Sequence, residues 1–443
     1  MEYTDVVRRA GLLERYHIAR FSSLGLDSCV LMAAQYIPPK GRRLDKPTIY
    51  DALAKVIEAH TALGVRLKDP AKDPVFERLK EVDLSEVVEF SDNHNLEATI
   101  EIELLRKFDV TSNRPLWRVV ILDDGTVCFA WHHGIGDGKS GLAFHRALLS
   151  SLQVNESRGG SSVVIPPKNG LVPPIETLVD LSPSWPKIVS TLFGLFAPVS
   201  WTRAAHSWTG SQVPTDITFQ NNVRLLELSP SIVSTLLNIC RSHKATITST
   251  FYALAVSVIS DLVMPDQYTT ISSLVPISLR GLSGTSSDVM CNHVSSLHSH
   301  AKVNPTFSWE YAHQYAAELR SHVKKSVEEI GMLPYLNGKY DEFFQGMLGR
   351  KRNGGFELSN VGRFEVENNS PDVPTWSTGR MVFAQCDVVV GAALKLNVVG
   401  DAIGGLTMSI IWGAGSVSDV FAEGFIDKFR NGLEKILSEG VQG

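Results

Sequence analysis

The stretch Trp131-His132-His133-Gly134-Ile135-Gly136-Asp137-Gly138 (WHHGIGDG) joins an apolar run to a turn rich in glycine. The run, residues 126–131 (TVCFAW), follows the turn signal Asp123-Asp124-Gly125 and holds the bulky and β-branched residues of a buried strand. After the stretch, the leucines lie on one helical stripe: Leu142, Leu148, Leu149 and Leu152. The sequence therefore predicts that both histidines lie where a strand turns into a helix.

The two histidines are the residues of this stretch best suited to chemistry. Successive strand side chains point to opposite faces, so His133 is expected on the face of Trp131 and His132 on the other face. A neutral imidazole can take a proton from an alcohol, thiol or amine near neutral pH. Asp137, beyond the turn, is placed to fix the loop by pairing with an arginine. The stretch is interpreted as an active site in which one histidine faces the reactants.

The same residues allow other interpretations. Each histidine could be a core residue satisfied by a backbone partner, although the neighbouring glycines are typical of a tight turn or a close backbone approach. No H-E-x-x-H, C-x-x-C or third spaced histidine supports a zinc site, so no metal is expected. Residues 136–141 match the dinucleotide-binding pattern G-x-G-x-x-G, but Asp137 lies where the pyrophosphate would bind, so this motif is discounted. Residues 138–140 resemble the end of a P-loop, but His133 stands where that motif requires its earlier glycine, so a P-loop is excluded.

The composition excludes several classes of protein. The chain has 443 residues, of which 44% are hydrophobic and 20% charged, and this length and composition predict a globular protein of two domains. The predicted domains are residues 1–180 and residues 221–443, joined by a connection over residues 181–220. A net charge of -5 without a basic stripe argues against a nucleic-acid partner. Five dispersed cysteines and the absence of a signal peptide or long apolar stretch predict a cytoplasmic protein without a transmembrane segment.

Hydrophobic periodicity predicts an alternation of helices and strands, and hence an α/β fold. In the first half the predicted elements are a strand at 26–37, a helix at 49–67, a hairpin at 117–122 and 126–133, and a helix at about 138–152. The apolar segment 185–201 of the connection is expected to line a crevice between the halves or, less readily, to contact a membrane surface. In the second half, helices are predicted at 231–243, 246–262, 308–329 and up to 437, and strands at 268–275, 292–298, 356–359, 381–383, 388–399 and 405–412.

His132-His133-x-x-x-Asp137-Gly138 resembles the HHxxxDG signature of the chloramphenicol acetyltransferase-like superfamily. Three further segments are similar to the fungal alcohol acetyltransferase branch: residues 11–16 (GLLERY), 275–280 (VPISLR) and 357–362 (ELSNVG). The chain lacks the DFGWG segment of the plant BAHD enzymes, which places it outside that branch. The resemblance implies two domains, each a mixed sheet with helices, around a central channel.

The resemblance also implies roles for individual residues. His133 would deprotonate the acceptor hydroxyl, while His132 and Asp137 would support the site, Asp137 by pairing with Arg280. Gly138 completes the signature, and Asn292 is similar to an asparagine that follows this arginine in related enzymes. Four residues are candidates for binding the oxyanion or the substrate: Ser359, Asn360, Gln385 and Ser409.

The predicted activity is acyl transfer, acetyl in the first place, from coenzyme A to a hydroxyl group of a small, largely apolar acceptor such as a secondary metabolite. Acyl-CoA would be a co-substrate, with no permanently bound cofactor, and the protein is expected to be a monomer. One alternative is a condensation or esterification catalyst that takes its acyl group from a carrier protein. Another is a binding module without activity, which the intact HHxxxDG disfavours.

Overall fold

The computed structural model describes residues 5–26, 28–154, 159–196, 201, 203–263, 267–366, 375–387 and 389–442. The elements of the first half are β1 (Val6–Arg9), α1 (Leu12–Leu24), β2 (Cys29–Ile37), α2 (Lys46–Ala59), β3 (Val65–Lys68), β4 (Val75–Arg78), β5 (Val82–Asp83), α3 (Leu84–Val87), β6 (Val88–Ser91), α4 (Leu96–Leu105), β7 (Trp117–Leu122), β8 (Thr126–His132), α5 (Gly138–Gln153) and β9 (Val163–Val164). Strands and helices alternate, which confirms the α/β prediction for this half.

The second half is also mixed. Its elements are α6 (Trp185–Phe196), β10 (Ser207–Trp208), β11 (Asn221–Leu228), α7 (Pro230–Ser242), α8 (Ile247–Leu262), β12 (Thr270–Ser278), α9 (Arg280–Ser283), β13 (Val294–Lys302), α10 (Trp309–His322), α11 (Val327–Gly331), α12 (Tyr340–Gln345), β14 (Phe356–Arg363), β15 (Ser377–Gln385), β16 (Leu394–Gly400), β17 (Leu406–Gly413) and α13 (Asp419–Gln442).

The first sheet has the strand order β15-β2-β8-β7-β6. The predicted hairpin β7–β8 is present and antiparallel, and β2 pairs with β8 so that Cys29 lies opposite His132. Helix α5 covers one face of this sheet, where Phe129 of β8 stacks on Phe144 with ring centroids 3.7 Å apart. The pair of histidines therefore lies at the end of a central, buried strand.

The second sheet has the order β10-β12-β14-β16-β17-β11, with β13 pairing along β12. Strands β12, β14 and β16 are parallel, and β16, β17 and β11 are antiparallel neighbours. Helices α8 and α13 pack beside one another over this sheet, with Phe251 and Phe429 buried between them. Each sheet has an apolar core, and a third cluster of buried side chains, with Val120 and Cys128 of the first sheet and Val223 and Ile411 of the second, is shared by both.

One strand crosses between the two halves. Strand β15 comes from the second half but pairs antiparallel with β2 as the edge strand of the first sheet, from Ser377 opposite Ile37 to Gln385 opposite Val30. The strand prediction at 381–383 is confirmed, but nothing in the sequence assigned it to the first sheet. Phe383 of this strand is fully buried in the first core.

Two predicted helices are wrong in extent. The helix predicted at 49–67 begins at Lys46, where Asp45 caps it by accepting from the Thr48 N–H at 3.1 Å, and it ends at Ala59. Residues 65–68 instead form β3, because their β-pattern lets them pair with β4. The helix predicted at 308–329 is interrupted between α10 and α11, where Ser326 turns its hydroxyl back to the Val323 carbonyl at 2.8 Å.

Three other predictions concern the connection and the late strands. The strand predicted at 388–399 begins at Leu394; its first residue, 388, lies outside the described residues. Of the apolar segment 185–201, residues 185–196 form α6, and residues 197–200 lie outside the described residues. The side chains of Trp185, Val189, Leu192 and Phe193 in α6 are exposed rather than enclosed between the halves. Within the described chain, no single helix is both long and apolar enough to cross a membrane. Only α7 and α8 counted together meet the length and apolarity required, and the two helices are bent by 89° relative to each other.

Candidate active site

The turn after β8 is held by backbone hydrogen bonds from both histidines. The N–H of His132 donates to the Leu116 carbonyl at 2.9 Å, and that of His133 donates to the Ser28 carbonyl at 2.7 Å. The His132 ring is completely buried and nearly perpendicular to the ring of Phe108, and its Nδ1 accepts the Gly134 N–H at 3.0 Å. His133, by contrast, is only partly buried. Of the two histidines, His133 is therefore the less buried.

The imidazole of His133 is held between two neighbours. On one face it stacks on His17 of α1, with ring centroids 3.7 Å apart and planes 6° from parallel. The Asn292 amide donates to the His133 carbonyl at 2.8 Å and lies 3.5 Å from its Nδ1. Burial of the ring lowers the pKa of His133 from its ordinary 6.5 to about 3. The ring is therefore neutral near physiological pH.

Asp137 forms the buried ion pair that the sequence predicted with Arg280. The Nη2 of Arg280 lies 2.8 Å from Oδ1 of Asp137, Nε lies 3.3 Å from Oδ2, and both side chains are at most 5% exposed. Burial by itself raises the pKa of the Asp137 carboxyl, but the charge and hydrogen bonds of Arg280, with the N–H of His293, outweigh it and hold the pKa below its usual range. Both groups are charged, and each depends on the other.

Asp137 also begins α5 and receives the second half of the chain. As the N-cap of α5 it accepts from the Ser140 N–H at 3.0 Å, while its own N–H donates to the Cys291 carbonyl at 2.9 Å. The His293 N–H donates to its Oδ2 at 3.3 Å. The loop 291–293 therefore ties β13 to the turn, and places Asn292 against His133.

Gly138 sits where the start of α5 meets side chains of β14 and β15. A Cβ built at this position would lie 2.8 Å from Phe383 Cζ and 2.8 Å from Val361 Cγ1. Real Cβ atoms do not approach other carbons so closely, so the requirement here is for space rather than for an unusual backbone angle. Gly138 thus lets β14 and β15 come against the start of α5.

The candidates on β14 have different surroundings. Because side chains alternate along a strand, Ser359 shares a face with Glu357 and Val361, the face that meets Gln385 and Gly138. The Asn360 side chain is engaged elsewhere: its Nδ2 donates to the Thr248 hydroxyl at 3.0 Å, and its Oδ1 accepts the Gly362 N–H at 2.9 Å. Ser359 therefore lies on the side of the first half, and Asn360 is bound to α8.

Gln385 and Ser409 belong to one polar cluster between the sheets. The Gln385 Nε2 donates to Asn397 Oδ1 at 2.9 Å and lies 3.3 Å from Glu357 Oε1. Asn397 in turn donates to Ser409 Oγ at 3.1 Å, and the Ser409 hydroxyl donates to the Phe383 carbonyl at 2.6 Å. Since the Ser409 proton is already donated within the chain, this cluster joins β15 to β16 and β17.

His17 is a residue of the site that the sequence did not predict. It lies at the middle of α1, far along the chain from His133, directly after the quoted segment 11–16. A lone histidine on a helix carries no spacing signal that would join it to a distant turn, so only the fold reveals the contact. Among the residues that the structure describes, no group of three His, Cys, Asp or Glu side chains could hold a metal ion.

The similarity to known proteins extends over nearly the whole chain. The chain is 26% identical to an uncharacterised protein of Schizosaccharomyces pombe over 97% of this chain and 98% of that protein. It is 23% identical to a probable alcohol acetyltransferase, crmB, of Aspergillus fumigatus over 96% of both chains. The solved structure of the trichothecene 15-O-acetyltransferase TRI3 of Fusarium sporotrichioides superposes with a TM-score of 0.66 at 14% identity, over 97% of this chain and 94% of that one.

A sequence model of one family covers nearly the entire chain. The model described as "Alcohol acetyltransferase" matches residues 9–435, which include both sheets, the histidine turn and the Asp137–Arg280 pair. The two-domain architecture of mixed sheets and helices is shared with solved acetyltransferases and condensation enzymes. The protein is therefore an acyltransferase acting on an alcohol, and the chain belongs to the alcohol acetyltransferase family.

Proposed function

We propose that the protein transfers an acetyl or other short acyl group from a coenzyme A thioester to the hydroxyl of a small, largely apolar alcohol, with His133 as the general base. The observation that carries this proposal is the state of His133: neutral, partly exposed and held on two sides at the end of β8. A general base must be unprotonated and within reach of the proton that it takes.

The proposed reaction is one direct transfer without a covalent acyl-enzyme. His133 takes the hydroxyl proton while the alcohol oxygen attacks the thioester carbonyl, and a tetrahedral intermediate forms. The C–S bond then breaks, and the departing thiolate recovers the proton from the His133 imidazolium to leave as the thiol. A hydrogen bond from the His133 ring to its own backbone carbonyl favours a proton on Nδ1, so the opposite nitrogen, Nε2, is assigned to the proton transfer. The low pKa of His133 keeps the ring unprotonated near physiological pH, which is the state that can accept this proton.

Asp137 and Arg280 are positioning residues in this proposal. Both oxygens of Asp137 are occupied, by Arg280, by Ser140 and by the His293 N–H, so the carboxylate does not need a reactant as a partner. Their pair holds the turn that carries His133 at one end and the loop that carries Asn292 at the other. Much of the rate in a reaction between two bound molecules comes from such placement.

Ser359 is the proposed donor to the oxyanion. Its side chain is buried, and it lies on the face of β14 that meets the first half, whereas the Asn360 amide is bound to Thr248. A preorganised donor is worth most where charge develops in a site from which water is excluded. Replacing Ser359 with Ala is expected to lower kcat by about 10²-fold with little change in KM, whereas Asn360→Ala is expected to act mainly on stability.

The decisive experiment measures free thiol release from acetyl-CoA with a panel of small alcohols. The parental protein is expected to turn over at least one alcohol, while His133→Ala should lose about 10²–10⁴-fold in kcat without unfolding. His94→Ala, which removes a histidine with a 78% exposed side chain, is the control and should retain parental turnover. Near-parental turnover by His133→Ala would remove the proposed role of this residue. Activity with an acyl-carrier protein but with no CoA thioester would favour the carrier-dependent alternative.

A further inference from the structure

A second histidine, His17, lies against the proposed base. Its ring covers one face of His133 at a centroid distance of 3.7 Å, with only 6° between the planes. His17 is 7% exposed, and no hydrogen bond joins its ring to another described residue; its buried Nδ1 has no partner there. The contact with His133 is therefore made by the face of the ring alone, as between stacked aromatic side chains.

We propose that His17 is a positioning residue for His133: its ring face fixes the plane of the reactive imidazole. This inference rests on the proposed function. Rotation of the His133 ring about its Cβ–Cγ bond would drive an edge into His17, because the two rings are already in van der Waals contact. Asn292 holds the backbone of the same residue by donating to its carbonyl at 2.8 Å. The imidazole is left with one orientation in which Nε2 can meet the alcohol.

The position of His17 is itself well fixed, because α1 is anchored at its start and through Tyr16, which directly precedes His17. At its start, Glu14 accepts the Gly11 N–H at 2.6 Å and forms a two-point contact with Arg8. Along the helix, the ring of Tyr16 lies 5.2 Å from that of Phe344 in α12, which belongs to the second half. Helix α1 therefore transmits the placement of the second half to the ring of His133 through His17.

The stack also keeps water from one face of His133. Several charged or titratable groups act on the two rings: Arg20 of α1, His132 and Asp137 of the turn, and Lys395 of β16. Burial is nevertheless the main cause of the low pKa of His133. Removing the ring of His17 exposes that face, so the pKa of His133 should rise towards 6.5, whereas another planar ring at position 17 should leave it low.

The test compares three substitutions in the full-length protein. His17→Phe keeps a planar face, His17→Leu keeps apolar volume without one, and His17→Ala removes both. We expect His17→Phe to retain kcat within about threefold, and His17→Ala to lose about 10²-fold in kcat with KM little changed, as for a small misplacement of a reacting group. His17→Leu should lose at least about tenfold in kcat, and it keeps the test valid if the alanine variant does not fold.

His60→Ala is the matched control, because His60 is another buried histidine, 5% exposed, in the same half of the chain but outside the site. It should lose stability but not kcat. Parental kcat in His17→Leu and His17→Ala would overturn the proposal. So would a His17→Phe variant as impaired as His17→Ala, since the ring nitrogens rather than the face would then matter.

A second readout separates this inference from the proposed function. Nitrogen-15 NMR of histidine-labelled protein follows the protonation of His133 without any substrate, with the resonance assigned by its loss in His133→Ala. The midpoint of the His133 titration should move to higher pH in His17→Ala and should be unchanged in His17→Phe. Equal titration midpoints in all variants would contradict the inference. If the parental protein transferred no acyl group at all, the proposed function would fail while this measurement still tested the stack.

Discussion

At the scale of single residues, the buried ion pair of Asp137 and Arg280 is expected to stabilise the fold around the site. Each charge is at most 5% exposed and satisfied by the other. Asp137→Asn or Arg280→Leu leaves one charge in the interior without its partner, so each substitution is expected to lower the free energy of unfolding by about 3–5 kcal/mol. Urea unfolding followed by tryptophan fluorescence measures this loss, and the double variant should lose less than the sum of the two.

The control for this prediction is an exposed ion pair. Lys428 and Asp261 are 2.6 Å apart with side chains 47% and 50% exposed. Lys428→Ala is expected to change the free energy of unfolding by less than about 1 kcal/mol, since solvent screens such a pair. Equal losses for Arg280→Leu and Lys428→Ala would show that burial of the Asp137 pair has no energetic consequence.

Buried histidines make the stability of the protein depend on pH. Burial lowers the pKa of His60 and of His145 to about 4, and that of His133 to about 3, whereas the unfolded value is near 6.5. Below pH 6.5 the unfolded chain binds protons that the folded chain does not, so stability should fall as the pH drops from 6.5 towards 4. Urea midpoints measured across this range test the direction.

The contribution of a single histidine to this pH dependence can be measured with one substitution. His60→Gln removes one proton of difference between the folded and unfolded chains, so the fall in stability should become shallower by up to about 1.4 kcal/mol per pH unit. His94→Gln, at a side chain 78% exposed, should leave the slope as it is. A slope in His60→Gln identical to the parental slope would refute the assignment.

The sequence predicted the site in part, because a local motif and a distant contact carry different information. His133 and Asp137 lie within one turn, and the segment that carries Arg280 resembles a family pattern, so the ion pair could be anticipated and the structure contains it. His17 could not be anticipated, because its contact depends on how α1 packs. The assignments of Ser359, Asn360, Gln385 and Ser409 remain predictions, and their different hydrogen-bond partners now rank them.

At the scale of elements, the junction of α5 with β14 and β15 depends on the missing side chain of Gly138. Gly138→Ala places a methyl group 2.8 Å from buried carbons of Phe383 and Val361, so the strands or the helix must shift. We expect a loss of about 1–3 kcal/mol in unfolding free energy, together with lower kcat because the same helix start carries the histidine turn. Thermal unfolding and thiol release measure the two effects.

Gly281 in α9 provides the comparison for this substitution, since a Cβ built there meets no atom within 4 Å. Gly281→Ala should be neutral or slightly stabilising, because alanine loses less backbone freedom on folding. Parental stability and turnover in Gly138→Ala would mean that the helix start can move without affecting the site. The pair of variants therefore separates crowding from the general effect of replacing a glycine.

Element boundaries were predictable where the local pattern agrees with the tertiary contacts. Helix α5 matches its prediction to within one residue, because the Asp137 cap and the leucine stripe both lie in the sequence. The predicted helix at 49–67 continued too far, because the pairing of β3 with β4 overrides a helical spacing that still looks favourable. The local sequence of β15 predicts a strand, but its pairing with β2 depends on how the whole chain folds, because the two strands are far apart in the sequence.

For the molecule as a whole, the exchanged strand joins the two cores into one unit. Strand β15 supplies the edge of the first sheet and Phe383 to the first core, while its other contacts, through Gln385 and the Phe383 carbonyl, reach β16 and β17 of the second sheet. The first sheet cannot keep this edge if the second half unfolds, because the chain between β14 and β16 would be free to leave. Unfolding of the two halves should therefore be coupled.

Two phenylalanines test this coupling from opposite sides. Phe383→Ala opens a cavity in the first core and Phe429→Ala opens one in the second, each at an expected loss of about 3–5 kcal/mol. Hydrogen exchange in increasing urea, read by mass spectrometry on peptides from β8 and from β17, reports the two cores separately. Because β15 belongs to both, each substitution should lower the midpoints of both peptides together. Midpoints that move only in the core carrying the substitution would mean that the halves unfold independently, and that the strand exchange positions the active site without stabilising it.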